Sequence, residues 1–221
     1  KNRCLCIGRD VSSRYARRGQ EEYRKISGYI YQTASARIGN YLVFFPSYQM
    51  LQEVLQEFLD QYGGQSVRCI CQRPEMDEGE REAFLDMFRQ GQQEESLVGF
   101  CVMGGVFSEG IDLTGESRIG VVVVGTGIPQ IGCEREILRE YYDARGKKGF
   151  DYAYRYPGMN KVLQAAGRVI RTIEDRGVIM LLDERFLENS YRNLFPREWE
   201  TYRVCSLEDV KETVLRFWEQ F

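Results

Sequence analysis

No histidine occurs in the 221 residues. That absence removes Ser-His and Cys-His nucleophiles, imidazole acid–base chemistry and any mixed Cys/His metal site. No phosphate-cradling loop is present either. Gly-x-x-x-x-Gly-Lys-Ser/Thr is missing, because Arg145-Gly146-Lys147-Lys148 lacks both the spacing and the hydroxyl. Gly125-x-Gly127 lacks the third glycine of a dinucleotide fingerprint, and no acid is evidently placed to hold Mg2+ beside a nucleotide. Long apolar runs are absent as well. The strongest, residues 41–45 and 119–124, fall far short of a membrane span, so no membrane partner is expected. No secretory leader pattern opens the chain. It begins Lys1-Asn2 without a methionine, which reads as a piece of a longer protein.

Positive charge is not in excess. Lysine and arginine number 30 against 33 acidic residues, a net charge of −3, which weighs against a dedicated nucleic-acid-binding domain. Local basic strips remain at residues 14–18 and 145–148. The seven cysteines are an odd number, and two pairs are Cys-x-Cys, at Cys4/Cys6 and Cys69/Cys71. On a strand this spacing puts both sulfurs on one face. They read as small buried apolar residues in a reducing, cytoplasmic setting. The alternative, a metal or iron–sulfur site, lacks the more usual Cys-x-x-Cys spacing.

What is present is an alternation of strand and helix patterns. Strands are predicted at residues 3–7, 41–45, 67–70, 97–103, 119–124 and 178–182. Helices are predicted at 20–38, from 47 to about Gly63, at 77–90 and 133–143, from Pro157 through 171, and at 184–194 and 207–218. Such alternation implies an α/β fold: a three-layer, mostly parallel sheet with helices on both faces. Residues 1–221 read as one domain, with 205–221 as an appended C-terminal helix.

Ligands of an open α/β sheet sit at the carboxyl ends of its strands. Pro46-Ser47-Tyr48 falls there, and so does Phe107-Ser108-Glu109-Gly110-Ile111-Asp112. Ser47 is most simply a helix N-cap, and an N-cap beside a free helix start is also a phosphate site. Gly110 permits close backbone approach, Asp112 can accept from a sugar hydroxyl or orient an arginine, and Ser108 can donate to phosphate. Read alone, Gly-Ile-Asp is an ordinary turn. Gln164, Arg168 and Arg171 follow i, i+4, i+7 spacing and share one helix face, with Gly167 between them. Two guanidiniums and an amide aimed the same way suit a polyanion, because guanidinium meets phosphate bidentately and keeps its proton. The plain alternative is a solvated basic face.

Three motifs in this order resemble helicases related to XPD and DinG, of superfamily 2. Val43-Phe44-Phe45-Pro46-Ser47-Tyr48 resembles their motif IV, Phe107–Asp112 their motif V, and residues 164–171 with Gly177-Val178-Ile179 and Asp183-Glu184-Arg185-Phe186 their motif VI and its sequel. Arg9-Asp10-Val11-Ser12-Ser13-Arg14-Tyr15 resembles the stretch that opens the second motor lobe. The resemblance implies a RecA-like second lobe of an ATP-dependent helicase that moves 5′ to 3′ on single-stranded DNA. It implies arginine fingers from Arg168 and Arg171, with Gln164 on the phosphate or its attacking water. It implies nucleotide contacts from Glu109, Gly110, Asp112 and Gly167, and DNA contacts from Ser47, Tyr48, Ser108 and Arg14. ATP and Mg2+ would be shared with the first motor lobe. The iron–sulfur cluster that such helicases often carry belongs to that first lobe and is not expected here. An RNA-directed or nuclease-coupled relative, and a non-catalytic RecA-like binding module, are the competing readings.

Overall fold

The computed structural model describes residues 2–89, 92, 94–109, 119–167 and 176–221. Seven strands form one sheet, in the order β3-β4-β2-β5-β6-β1-β7. They are β1 (Arg3–Gly8), β2 (Asn40–Phe45), β3 (Val67–Cys71), β4 (Ser96–Val102), β5 (Gly120–Val124), β6 (Gly177–Leu182) and β7 (Arg203–Cys205). Every neighbouring pair is parallel. The central strands read as unbroken apolar runs because both faces are covered. Alternate residues of one strand enter different cores. Val43 and Phe45 of β2 join an apolar cluster with Cys4, Cys6, Val122 and Met180, while Leu42 and Phe44 join another with Leu5, Ile7, Val121 and Leu181.

Helices α1 (Gln20–Ser35), α2 (Tyr48–Tyr62) and α8 (Val210–Trp218) cover the first face, through residues such as Ile26, Val54 and Val214. Helices α3 (Glu78–Arg89) and α6 (Tyr156–Ala166) cover the second, through Phe84, Phe88, Met159 and Val162. Two short helices, α4 (Val106–Glu109) and α7 (Asn189–Arg192), and the longer α5 (Cys133–Asp143) complete the set.

Several elements differ from the sequence reading. Helix α1 stops at Ser35, so residues 36–39 form a turn before β2. The stretch 184–194 is a 3-10 turn at Glu184–Leu187 followed by α7. The helix predicted to start at Pro157 is preceded by a π-helical turn, Asp151–Arg155. The segment read as an appended helix is built into the domain. Cys6, Ile7 and Gly8 of β1 pair with Arg203, Val204 and Cys205 of β7, and Val210, Val214 and Phe217 of α8 lie in the first apolar cluster.

Candidate nucleotide and nucleic-acid site

Ser47 and Tyr48 follow β2, α4 follows β4 and Asp183 follows β6, so these three stretches lie at the carboxyl ends of parallel strands. After β2, Ser47 caps α2: its Oγ accepts from the Met50 amide at 3.3 Å. Tyr48 opens the helix, and its hydroxyl accepts from Gln72 Nε2 at 2.9 Å. Gln72 is itself buried. Its amide N–H donates to Phe100 O at 2.8 Å and its Oε1 accepts from the Val102 amide at 2.9 Å. One side chain thus ties the ends of β3 and β4 to the start of α2. Burial pushes the Tyr48 hydroxyl above the ordinary phenol range, so it stays protonated at neutral pH.

After β4 the chain turns at Gly104, which has φ of +73°, a left-handed conformation that suits glycine. Lys161 of α6 covers this turn, since a Cβ added at Gly104 would lie 3.4 Å from Lys161 Cε. Helix α4 follows, anchored by buried Phe107, whose ring stacks on Phe84 at 4.4 Å. Ser108 and Glu109 occupy its last positions. Gly110 and Asp112 lie outside the described residues.

Helix α6 packs against α4 and is seated from below by the turn after β5. Gly127 has φ of +66°, and a Cβ there would stand 2.4 Å from the Gly158 carbonyl. Conversely, a Cβ on Gly158 would stand 2.7 Å from the Thr126 carbonyl. Glycine at both positions lets the turn and the helix touch backbone to backbone. The result presents Gln164 exposed to solvent, while Val162, Ala165 and Ala166 are buried against the sheet. Gln164 thus lies on the solvent side of α6, away from Ala165 and Ala166. Gly167 caps the helix in the right-handed region, its amide donating to Leu163 O at 2.9 Å. Arg168 and Arg171 lie outside the described residues.

At the ends of β1 and β6 the structure holds a clamp that sequence reasoning missed. Asp183 is fully buried. Its Oδ2 accepts from Ser13 N at 2.9 Å and Ser13 Oγ at 2.6 Å, and its Oδ1 accepts from Arg185 Nε at 2.8 Å. Arg185 Nη2 also reaches Asp183 Oδ2 at 2.8 Å and Ser13 Oγ at 2.9 Å. Burial by itself would push this carboxyl up, but the hydrogen bonds and charge of Arg185, with those of Ser13, outweigh it and hold it below the usual carboxylate range. Backbone bonds brace the same corner, Glu184 N to Val11 O at 2.9 Å and Gly125 N to Leu182 O at 3.0 Å. The available signal was an acid directly after an apolar strand, Asp183, with an arginine two residues on. Arg14, beside Ser13, is exposed, with Nη2 at 2.6 Å from Glu188 and Nε at 3.5 Å from Glu184. Its guanidinium is engaged by carboxylates in this arrangement.

The seven cysteines are free thiols, in no disulfide. Burial pushes Cys69 up to about 12 and Cys71 up to about 11, and it raises Cys101 as well. Among the described residues no group of three or more His, Cys, Asp or Glu is placed to hold a metal ion. Among the described residues no helix is long and apolar enough to cross a membrane.

Comparison with known proteins places this geometry in a family. Residues 30–202 match the family described as the helicase C-terminal domain. The chain is 26% identical over 184 residues to the ATP-dependent DNA helicase XPD of Sulfolobus acidocaldarius, covering 81% of this chain and 31% of that protein. It is 32% identical over 161 residues to the regulator of telomere elongation helicase 1 homolog of Drosophila willistoni, covering 67% of this chain and 16% of that protein. Among solved structures, apo XPD superposes with a TM-score of 0.72 at 23% identity, over 92% of this chain and 40% of that one. Together with the parallel sheet, that likeness shows a RecA-like α/β fold. The chain spans 31% and 35% of the lengths of two archaeal relatives it matches.

Proposed function

This chain belongs to the helicase C-terminal domain family, and we propose from that premise that it is the second motor lobe of an ATP-dependent, XPD-like DNA helicase. ATP would be held by a first lobe of the same protein, and this lobe would close the site from the other side. Arg168 and Arg171 follow Gln164 at helical spacing. In the closed state their guanidiniums would meet the γ-phosphate oxygens and stabilise the charge that develops as the phosphoryl group leaves. Gln164 would hold the phosphate or orient the attacking water. Glu109, Gly110, Asp112 and Gly167 would line the nucleotide edge. Ser47, Tyr48, Ser108 and Arg14 would contact single-stranded DNA, which moves 5′ to 3′. Mg2+, when bound with ATP, would neutralise phosphate charge; its ligands are assigned to the first lobe.

The observation that carries this reading is the seating of α6. The turn after β5 meets α6 at Gly158 and α4 packs on the same helix, while Gln164 is exposed near the end of α6. This helix would carry the phosphate-directed side chains, and the sequence holds no Gly-x-x-x-x-Gly-Lys-Ser/Thr loop.

The test is ATP turnover by the full-length protein with and without single-stranded DNA. DNA should stimulate the wild type, and Arg168→Ala should lower the stimulated rate about a hundredfold, as loss of one donor to transition-state charge does. Equal rates for the two proteins would contradict the assignment and favour a non-catalytic binding module.

A further inference from the structure

Helix α5 is unusual among the long helices in having no buried residue. It packs on the π-helical turn Asp151–Arg155, and its outer side faces solvent. Leu138, Tyr141 and Arg145 follow i, i+3, i+7 spacing along that side, and Tyr141 is 50% exposed. Arg145 lies over the Tyr141 ring, its guanidinium carbon 3.4 Å from the ring centre. Behind it the aromatic rings form a file. Tyr142 stands edge-on to Tyr141 at 5.5 Å, Tyr152 stacks on Tyr142 at 4.1 Å, and Tyr156 meets Tyr152 edge-on at 5.1 Å. Lys147 Nζ lies 5.8 Å from the Tyr142 ring and 5.4 Å from the Tyr152 ring. Arg145, Lys147 and Lys148 are all exposed in the turn that follows α5.

The nearby carboxylates are occupied elsewhere. Glu136 and Asp143 pair with Arg139 at 3.0 and 3.8 Å, and Asp151 pairs with Arg155. Asp143 also accepts from the Gly149 amide at 2.7 Å. Glu134 and Glu140 lie on the helix itself, so the positive end of the hairpin is the turn. The other basic strip, residues 14–18, is different. Arg14 pairs with Glu188 at 2.6 Å, Arg17 with Glu22 at 3.1 Å, and Arg18 donates to Ser13 O at 3.3 Å. In the α5 turn Arg145 likewise donates to a backbone carbonyl, Tyr141 O at 3.1 Å, but among the described residues none of Arg145, Lys147 and Lys148 pairs with a carboxylate.

An exposed tyrosine backed by a fixed aromatic file, with three cations alongside, matches what single-stranded nucleic acid needs. A base stacks on a ring or on a guanidinium plane, and flanking phosphates find positive charge. We propose that the α5 hairpin is a second contact site for single-stranded nucleic acid, separate from the motif residues Ser47, Tyr48, Ser108 and Arg14. One base would stack against the Tyr141–Arg145 pair, and Lys147 and Lys148 would take adjacent phosphates. This rests on the reading of the chain as a nucleic-acid motor lobe.

The experiment is titration of a fluorescein-labelled oligothymidylate with the full-length protein, followed by anisotropy over a salt series. Tyr141→Ala should weaken binding about fivefold or more, as loss of one stacked base does, whereas Tyr141→Phe should bind like wild type. The double variant Lys147→Gln, Lys148→Gln should flatten the slope of log affinity against log salt by about 1.4, at ~0.7 per phosphate contact. Unchanged melting temperatures establish that the variants are folded. Wild-type affinity and slope in both Tyr141→Ala and the double variant would overturn this site while leaving the motor-lobe reading intact. Failure of the wild-type protein to bind the oligonucleotide at all would overturn both.

Discussion

Arg171→Ala in the full-length protein is expected to slow single-stranded-DNA-stimulated ATP turnover by about a thousandfold, the low end of what an arginine finger supplies in phosphoryl transfer. The reason is electrostatic and geometric. A guanidinium supplies two parallel N–H donors and a charge that no accessible pH removes. Its contribution grows as charge builds on the phosphoryl oxygens, so the loss belongs in kcat rather than in ATP affinity. Arg171→Lys should recover little, because an ammonium is a point charge without the planar fork. Steady-state kinetics beside an ATP-binding titration check this. Weakened ATP binding with an unchanged kcat would show that Arg171 only holds the nucleotide, and no change in either would remove it from the site.

The second large effect is on stability. Asp183→Ala should destabilise the domain by about 3–5 kcal/mol, the range found when one partner of a buried ion pair is removed. Asp183 is fully buried, and the side chain of Arg185 is only 16% exposed, so the change strands a cation and the two Ser13 donors together. The carboxyl sits below its ordinary range in the folded state. Its stabilisation is therefore fully present above the unfolded pKa of about 4 and is lost as pH falls through the lower folded value. Urea unfolding of wild type and Asp183→Ala should show a stability gap that is constant near neutrality and narrows only in acid. A gap that stays the same at low pH would contradict the ion-pair account. The clamp also joins the loop after β1 to the one after β6, which is why Arg14 lies next to Glu184 and Glu188.

Much of this arrangement was legible in the residues. The run Tyr41-Leu42-Val43-Phe44-Phe45 announced a strand covered on both faces, and its side chains do divide between two cores. Helix α5 was readable at Cys133–Asp143, because its charged pattern starts directly after Gly132 and Gly146 lies just beyond its end. Strand β7 was not legible. Its three residues are too few to show a period of two, and Arg203 and Val204 are exposed at an edge. The π-helical turn before α6 was hidden for a related reason. Its i→i+5 bonding widens the turn and breaks the 3.6-residue spacing, so Pro157 looked like a beginning.

The Ser47 cap and the helix that carries Gln164 were readable because N-capping and helix spacing are local rules. The Ser13–Asp183–Arg185 clamp and the Gln72–Tyr48 bridge were not. Ser13 and Asp183 lie 170 residues apart in the chain, and nothing local couples them. The parallel crossover that sets β1 beside β6 creates the pair. Gln72 shows the same limit, since a polar residue after a strand gives no sign that it will be buried between two others.

The most direct test of the claim that this chain is half of an active site is ATP hydrolysis by the 221-residue chain alone, with single-stranded DNA present and circular dichroism confirming that it is folded. The account predicts no turnover above background, under conditions where the full-length protein turns over ATP. Turnover by the isolated chain that Arg171→Ala abolishes would contradict it.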